Sequence, residues 1–202
     1  MDLIEPAVRV FLGVFFLMIG LQFAARTLGL YSRLGFSHIN YGKTGTATWW
    51  HRHIFNLFRA AILLMCLARI WVDLDAWLGV FPLLYHWPVL LAGAVLLLVS
   101  YTSVNYLQAY MHEDWRSGID DHHGSGHLLT DGPFGRSRNP LFLAVMTGQL
   151  GFFLALPSVF SLVCLVIGVL VIMRQAREEE KALARRFDEQ YEAYCKRVPR
   201  WF

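Results

Sequence analysis

The amino-acid sequence predicts an all-α fold: a polytopic transmembrane helical bundle of about five spans, ending in a C-terminal helical hairpin and a cytoplasmic amphipathic tail helix. Three observations lead there. Of the 202 residues, 56% are hydrophobic and only 16% are charged, against roughly a quarter charged in soluble domains, and the mean hydropathy is +0.42. The apolar residues are gathered into runs close to the ~20 residues that a bilayer-crossing helix needs. The charges are confined to short segments between and after those runs.

Taken in order, residues 4–25 make the first span, with Arg9 near enough to its start to snorkel to the interface. No basic flank precedes this run and no small-residue cleavage site follows it, so it reads as a retained helix rather than a cleaved signal peptide. Residues 53–72 make the second span, within which Arg59 either faces the bundle interior or snorkels to the headgroups. Between Ala76 and Met111 there is no formal charge, and Pro82 and Pro88 punctuate the stretch. Residues 76–87 are therefore expected to form an interfacial or re-entrant connection, and residues 89–110 the third span. A second uncharged stretch, residues 140–173, is broken by Pro157-Ser158 into two short helices joined by a tight turn, the hairpin of spans four and five.

Lys and Arg placement sets the expected orientation. The first loop carries Arg26, Arg33, Lys43 and Arg52 with no acidic residue, the second carries Asp73 and Asp75, and the tail from Arg174 onward carries eight basic residues. The N-terminus is then outside, and the C-terminus and the polar loops beside it are cytoplasmic. Three cysteines, Cys66, Cys164 and Cys195, supply no disulfide framework. A net charge of +3, with basic residues interleaved among acidic ones, is too small to argue for a nucleic-acid surface, and none is expected.

Chemistry is expected in two polar segments. Residues 111–139 are dense in Gly, His, Asp and Arg. Their glycines allow tight turns and close approach to a ligand, though a flexible tether has the same glycine content, and Arg136 and Arg138 offer forked donors for a carboxylate or phosphate. His51, His53, His122, His123 and His127 lack the spacings of a metal site, and no metal is expected. In the tail, Leu183, Phe187, Tyr191, Tyr194 and Val198 form an apolar stripe on a helix reaching about Arg197. Glu179 and Glu180 precede Leu183 by four and three residues and so project inward, whereas Glu178 points elsewhere. Inward carboxylates beside a bilayer must hold a cationic ligand or be paired, here with Arg174 or Arg138, unless that face is solvated.

Thr130-Asp-Gly-Pro-Phe-Gly-Arg-Ser-Arg-Asn-Pro-Leu-Phe142, an apolar hairpin, Arg177-Glu-Glu-Glu-Lys-Ala-Leu183 and Phe187-Asp-Glu-Gln-Tyr-Glu-Ala-Tyr-Cys-Lys-Arg-Val-Pro199 follow one another here. Together they resemble the isoprenylcysteine carboxyl methyltransferase family, integral membrane enzymes related to the phospholipid N-methyltransferases. The resemblance covers residues 128–199 with order and spacing intact. Asn139 stands where that family usually has His, Phe142 where it has Tyr, and Asp188 where it has Gly.

The resemblance implies an S-adenosylmethionine-dependent methyltransferase acting on a lipophilic or amphipathic acceptor that enters from the bilayer. It divides the chain into residues 1–127, helices and loops on the acceptor and lipid side, and residues 128–202, a cofactor-binding region. It also implies that Gly132, Pro133, Arg138, Asn139, Pro140 and Leu141 wall the cofactor, with Glu179 and Glu180 holding its amino or ribose groups. Arg138 and Asn139 are the expected catalytic pair, Arg138 orienting a carboxylate of cofactor or acceptor. Arg59, Arg116, Phe142 and Arg197 are the expected acceptor-binding residues. The alternatives are a phospholipid or small amine or thiol acceptor on the same scaffold, or a non-catalytic membrane scaffold.

Overall fold

The computed structural model describes residues 3–34, 45, 47–111 and 127–202. Six helices account for most of them: α1 (Ile4–Leu34), α2 (Ala47–Trp71), the single turn α3 (Asp75–Leu78), α4 (Trp87–Met111), α5 (Pro140–Ala155) and α6 (Val159–Arg197). A 3-10 turn, Gly132–Gly135, precedes α5. Among the described residues there is no strand beyond an isolated bridge between Val80 and Ser158. The chain is thus an all-α helical bundle. Four helices are long and apolar enough to cross a membrane, and α5 is a shorter apolar helix of 16 residues.

Several boundaries move from their expected places. α1 continues nine residues past Ala25 and α2 begins at Ala47, so both extend into what hydropathy assigned to the first loop. α6 spans 39 residues and joins span five to the tail, with one kink near its C-terminal end at Asp188. Up to that kink the helix runs 29 residues, about 44 Å, and a bilayer core is ~30 Å thick. Its apolar part is residues 159–173, and the charged remainder continues beyond it. The cause of the continuity is the absence of any Gly or Pro between Gly168 and Pro199.

The hairpin turn is built as its Pro and Ser require. Pro157 stops α5, and Ser158 starts α6 through a capping box in which its hydroxyl accepts from the Ser161 N–H and Ser161 returns the bond. The connection after α3 docks on this turn, with Phe81 N donating to Pro157 O at 2.8 Å and Val159 N to Gly79 O at 3.0 Å.

α4 and α5 approach most closely. Gly93, Leu97 and Ser100 on one helix meet Ala144, Gly148, Gly151 and Ala155 on the other, small residues recurring at heptad-like spacing as in membrane helix pairs. Ser100 Oγ donates to Ala144 O at 2.7 Å across this seam. The main core joins Val8, Leu12 and Phe15 of α1 to Cys66, Leu90, Leu97, Phe152, Leu156 and Cys164.

At the end of the bundle that carries the hairpin turn, a charge network ties α1, α2 and α3 together. Arg9 bridges Glu5 (3.1 Å) and Asp75 (2.9 Å), rather than reaching outward. Arg69, 2% exposed, donates to Asp75 Oδ1 at 2.6 Å and to the Tyr85 hydroxyl at 2.7 Å, and Tyr85 donates to Glu5 at 3.2 Å. Two positive and two negative side chains compensate one another, as charges at this depth must.

Candidate functional site

The opposite end of the bundle holds residues 127–139 and the tail, the described parts of the two polar segments. Gly132 adopts φ +52 and opens the 3-10 turn, and a Cβ there would lie 2.6 Å from the Tyr110 hydroxyl at the end of α4, so only glycine admits this approach. Pro133 is the second residue of the turn, where its missing N–H costs nothing. Phe134 stacks on Tyr110 with centroids 6.3 Å apart, and its carbonyl accepts from the Tyr194 hydroxyl of α6 at 2.7 Å. The turn is therefore held between α4 and the tail.

Ser137-Arg138-Asn139 follow, and Pro140 begins α5 at the position where a missing N–H costs nothing. Asn139 occupies the N-cap, yet its side chain does not cap α5. Its amide instead donates to Glu180 Oε1 on α6 at 2.8 Å, across 41 residues of sequence. Glu180 lies one helical turn past Ala176, which is fully buried and lets α6 come close, and one turn before Leu183.

Glu180 is the centre of the cluster. Its side chain is 10% exposed, and it accepts a forked contact from Arg200, with Nε at 3.1 and 3.0 Å from the two oxygens and Nη2 at 2.8 Å from Oε2. Arg138 Nε stands 3.9 Å from Oε1 and, buried, makes no hydrogen bond among the described residues. The Arg138 Nη1 group donates to Cys195 Sγ. Arg138 and Arg200 against one carboxylate leave the cluster with one surplus positive charge. The carboxylate raises the Arg200 pKa further above its ordinary value. Burial pushes the Tyr194 hydroxyl up to about 12, and burial together with the Glu180 charge raises that of Tyr191.

The last turn of chain closes over this cluster. Arg138 N donates to Pro199 O (3.0 Å), Ser137 Oγ to Arg200 O (3.2 Å) and Asn139 Nδ2 to Arg200 O (3.3 Å). Beneath it the expected stripe is packed: Tyr191, Tyr194 and Val198 are buried against Leu128, Leu183, Phe187 and Cys195. One residue interrupts the helix to make this fit. Asp188, at the position where the related family has Gly, has φ +39 and ψ −114 inside α6. Among the described residues it is the only non-glycine with positive φ.

The expected site residues are thus only partly brought together. Arg138, Asn139 and Glu180 converge, with Pro140 and Leu141 half-buried in the first turn of α5 and Gly132-Pro133 one turn away against Tyr110. Glu179 does not join Glu180: successive helical residues diverge by about 100°, and Glu179 accepts from Gln175 on its own helix at 3.0 Å. Glu178 does point elsewhere, pairing with Lys181 at the surface. Arg174, offered as a partner for the carboxylates, is exposed. Phe142 is half-buried on α5. Arg59 is exposed and lies over the Phe23 ring at 5.2 Å, and Arg197 is exposed on the tail. Arg116, His122 and His123 lie outside the described residues. Hydropathy and periodicity missed Arg200, which sits beyond the helix stop at Pro199 among eight basic tail residues.

A buried carboxylate beside a guanidinium with an unused N–H suits a zwitterionic ligand, whose ammonium or hydroxyls meet the carboxylate and whose acidic group meets Arg138.

Compared with known proteins, residues 87–190, just over half of the chain from α4 into the tail, match the family described as phospholipid methyltransferase. That family is related to the isoprenylcysteine carboxyl methyltransferases. No curated protein and no solved structure matches the chain.

Proposed function

Because the chain belongs to the phospholipid methyltransferase family, we propose that it transfers a methyl group from S-adenosylmethionine to an amine of a membrane phospholipid, at the cytoplasmic end of the bundle. The observation that supports this reading best is the buried Glu180–Asn139–Arg138 cluster at the edge of an apolar helix bundle. When bound, the cofactor supplies an electrophilic methyl group on a cationic sulfur. Its amino-acid part is the zwitterion that the cluster suits: Glu180 takes the ammonium and Arg138 orients the carboxylate. Asn139 holds Glu180 in place, and Gly132, Pro133, Pro140 and Leu141 form the surrounding wall.

For the protein, the work is alignment and exclusion of water. Direct methyl transfer is an in-line displacement in which proximity and orientation contribute most. The Tyr191–Tyr194–Val198 packing under the terminal segment keeps solvent from that side. An ammonium headgroup must lose a proton before attack and a neutral amine sheds one after it, and no side chain is assigned either step.

A carboxyl acceptor, as in isoprenylcysteine methylation, is the second reading. It is favoured by the surplus positive charge of Arg138 and Arg200, which would attract an acidic group. One experiment separates the two. Purified protein in lipid is incubated with methyl-labelled S-adenosylmethionine and a total lipid extract, and labelled products are treated with mild alkali. Label retained on a lipid headgroup amine supports the first reading, and label released as methanol supports the second. No labelled lipid together with no binding of S-adenosylmethionine at millimolar concentration overturns both.

A further inference from the structure

We propose that Arg200 is a residue of the cofactor site: the resident counter-ion of Glu180, which the cationic group of the cofactor displaces on binding. This rests on the reading of Glu180 as a cofactor ligand and extends it to a residue outside both the family motif and the matched segment.

Both Glu180 oxygens are already in use. Oε1 accepts from Asn139 and from Arg200 Nε, and Oε2 accepts from Arg200 Nε and Nη2. Three N–H groups thus crowd this carboxylate, and a cation approaching along the forked face meets the Arg200 guanidinium and must displace it. The two donors differ in how easily they leave. Asn139 is buried and its amide is also tied to Arg200 O, whereas the Arg200 side chain is 40% exposed. The Arg200 backbone is anchored independently of its guanidinium, through its carbonyl to Ser137 and Asn139 and through the neighbouring Pro199 carbonyl to Arg138. The side chain can thus swing into solvent while the terminal segment stays closed over the site. A long flexible arm on a fixed backbone is what a displaceable counter-ion requires, and it keeps Glu180 from standing as an uncompensated buried charge when no ligand is present.

The test is equilibrium binding of S-adenosylmethionine and of S-adenosylhomocysteine to the full chain in detergent, by calorimetry. The variants are Arg200→Gln, Arg200→Lys, Glu180→Gln and the Glu180→Gln/Arg200→Gln double variant. Size-exclusion profile and helical circular dichroism check that each is folded. Removing the competitor is expected to tighten S-adenosylmethionine binding by about tenfold in Arg200→Gln. Arg200→Lys, which keeps the charge and loses the fork, should fall between Arg200→Gln and the parent. Glu180→Gln should weaken binding, and adding Arg200→Gln to it should restore nothing, because the competitor then has no carboxylate to occupy. S-adenosylhomocysteine keeps the ammonium and lacks the sulfonium. It should tighten equally, since the ammonium is the group assigned to Glu180.

Unchanged or weakened binding in Arg200→Gln, with Glu180→Gln still impaired, overturns the displacement idea and leaves Glu180 a ligand. Unchanged binding in Glu180→Gln overturns the reading of the site itself.

Discussion

Replacing Gly93 with alanine places one methyl group on the tightest glycine contact among the described residues. The added Cβ would lie 2.6 Å from the Leu154 carbonyl carbon and 2.7 Å from Ala155 Cα, and would also collide with Ala155 N. Carbon atoms prefer separations of about 3.5–4.0 Å, so α4 and α5 must part by about 1 Å at this level. All three obstructing atoms are backbone, and no rotamer change relieves them. Overpacking of this kind costs roughly 1–3 kcal/mol, and the rigid neighbours put Gly93→Ala at the upper end. Parting the helices also strains the Ser100–Ala144 hydrogen bond, and such bonds contribute ~0.6 kcal/mol between membrane helices. The total is about 3 kcal/mol.

The assay is thermal unfolding in detergent followed by circular dichroism, where a loss of that size lowers Tm by about 6–12 °C for a chain of this length. Gly20→Ala is the internal control. Its Cβ would meet only Leu63 Cδ2 at 3.9 Å, ordinary contact, so it should be neutral or up to ~1 kcal/mol more stable from reduced backbone freedom in the unfolded chain. If Gly93→Ala matched the parent protein, the close α4–α5 approach would be refuted, and with it the placement of the Ser137–Asn139 turn that α5 carries.

Two further outcomes follow from the tail. Asp188→Gly relieves a positive φ that an L side chain adopts at a cost of about 1–3 kcal/mol, and it should raise Tm despite the greater freedom of glycine when unfolded. A lower Tm would show that the Asp188 side chain contributes more than its backbone costs. Tyr194 gives a pH dependence. Burial raises its pKa from 10.0 to about 12, so below pH 10 it is neutral in folded and unfolded chains alike and stability has no slope from this group. Between pH 10 and 12 the unfolded chain releases the proton and the folded one keeps it, so folding is progressively disfavoured, by roughly 2.7 kcal/mol at most. Denaturant titrations across that window should show a shallower alkaline loss in Tyr194→Phe, offset by a constant deficit from the lost bond to Phe134 O. Identical slopes would refute the burial argument.

Residues that act through local pattern were legible without coordinates. Runs of apolar side chains, Pro157-Ser158 between two of them, and the stripe from Leu183 to Val198 fix which segments are helices and which faces are buried. Those properties depend only on neighbours a few positions away. The motif order likewise brought Arg138, Asn139 and Glu180 under suspicion as a group. The length of α6 was obscured because a change from apolar to charged residues looks like the end of an element, while the backbone hydrogen bonding that defines a helix is indifferent to it.

The tertiary structure alone decided the pairings. Arg9 and Arg69 meet Asp75, Glu180 is taken by Arg200 instead of Arg174, Glu179 turns to its own helix, and Asn139 leaves α5 uncapped to reach α6. Each of these choices turns on a few ångströms between side chains brought together by folding. A buried charge must find whichever partner the packing delivers, and no periodicity in the chain encodes which one that is.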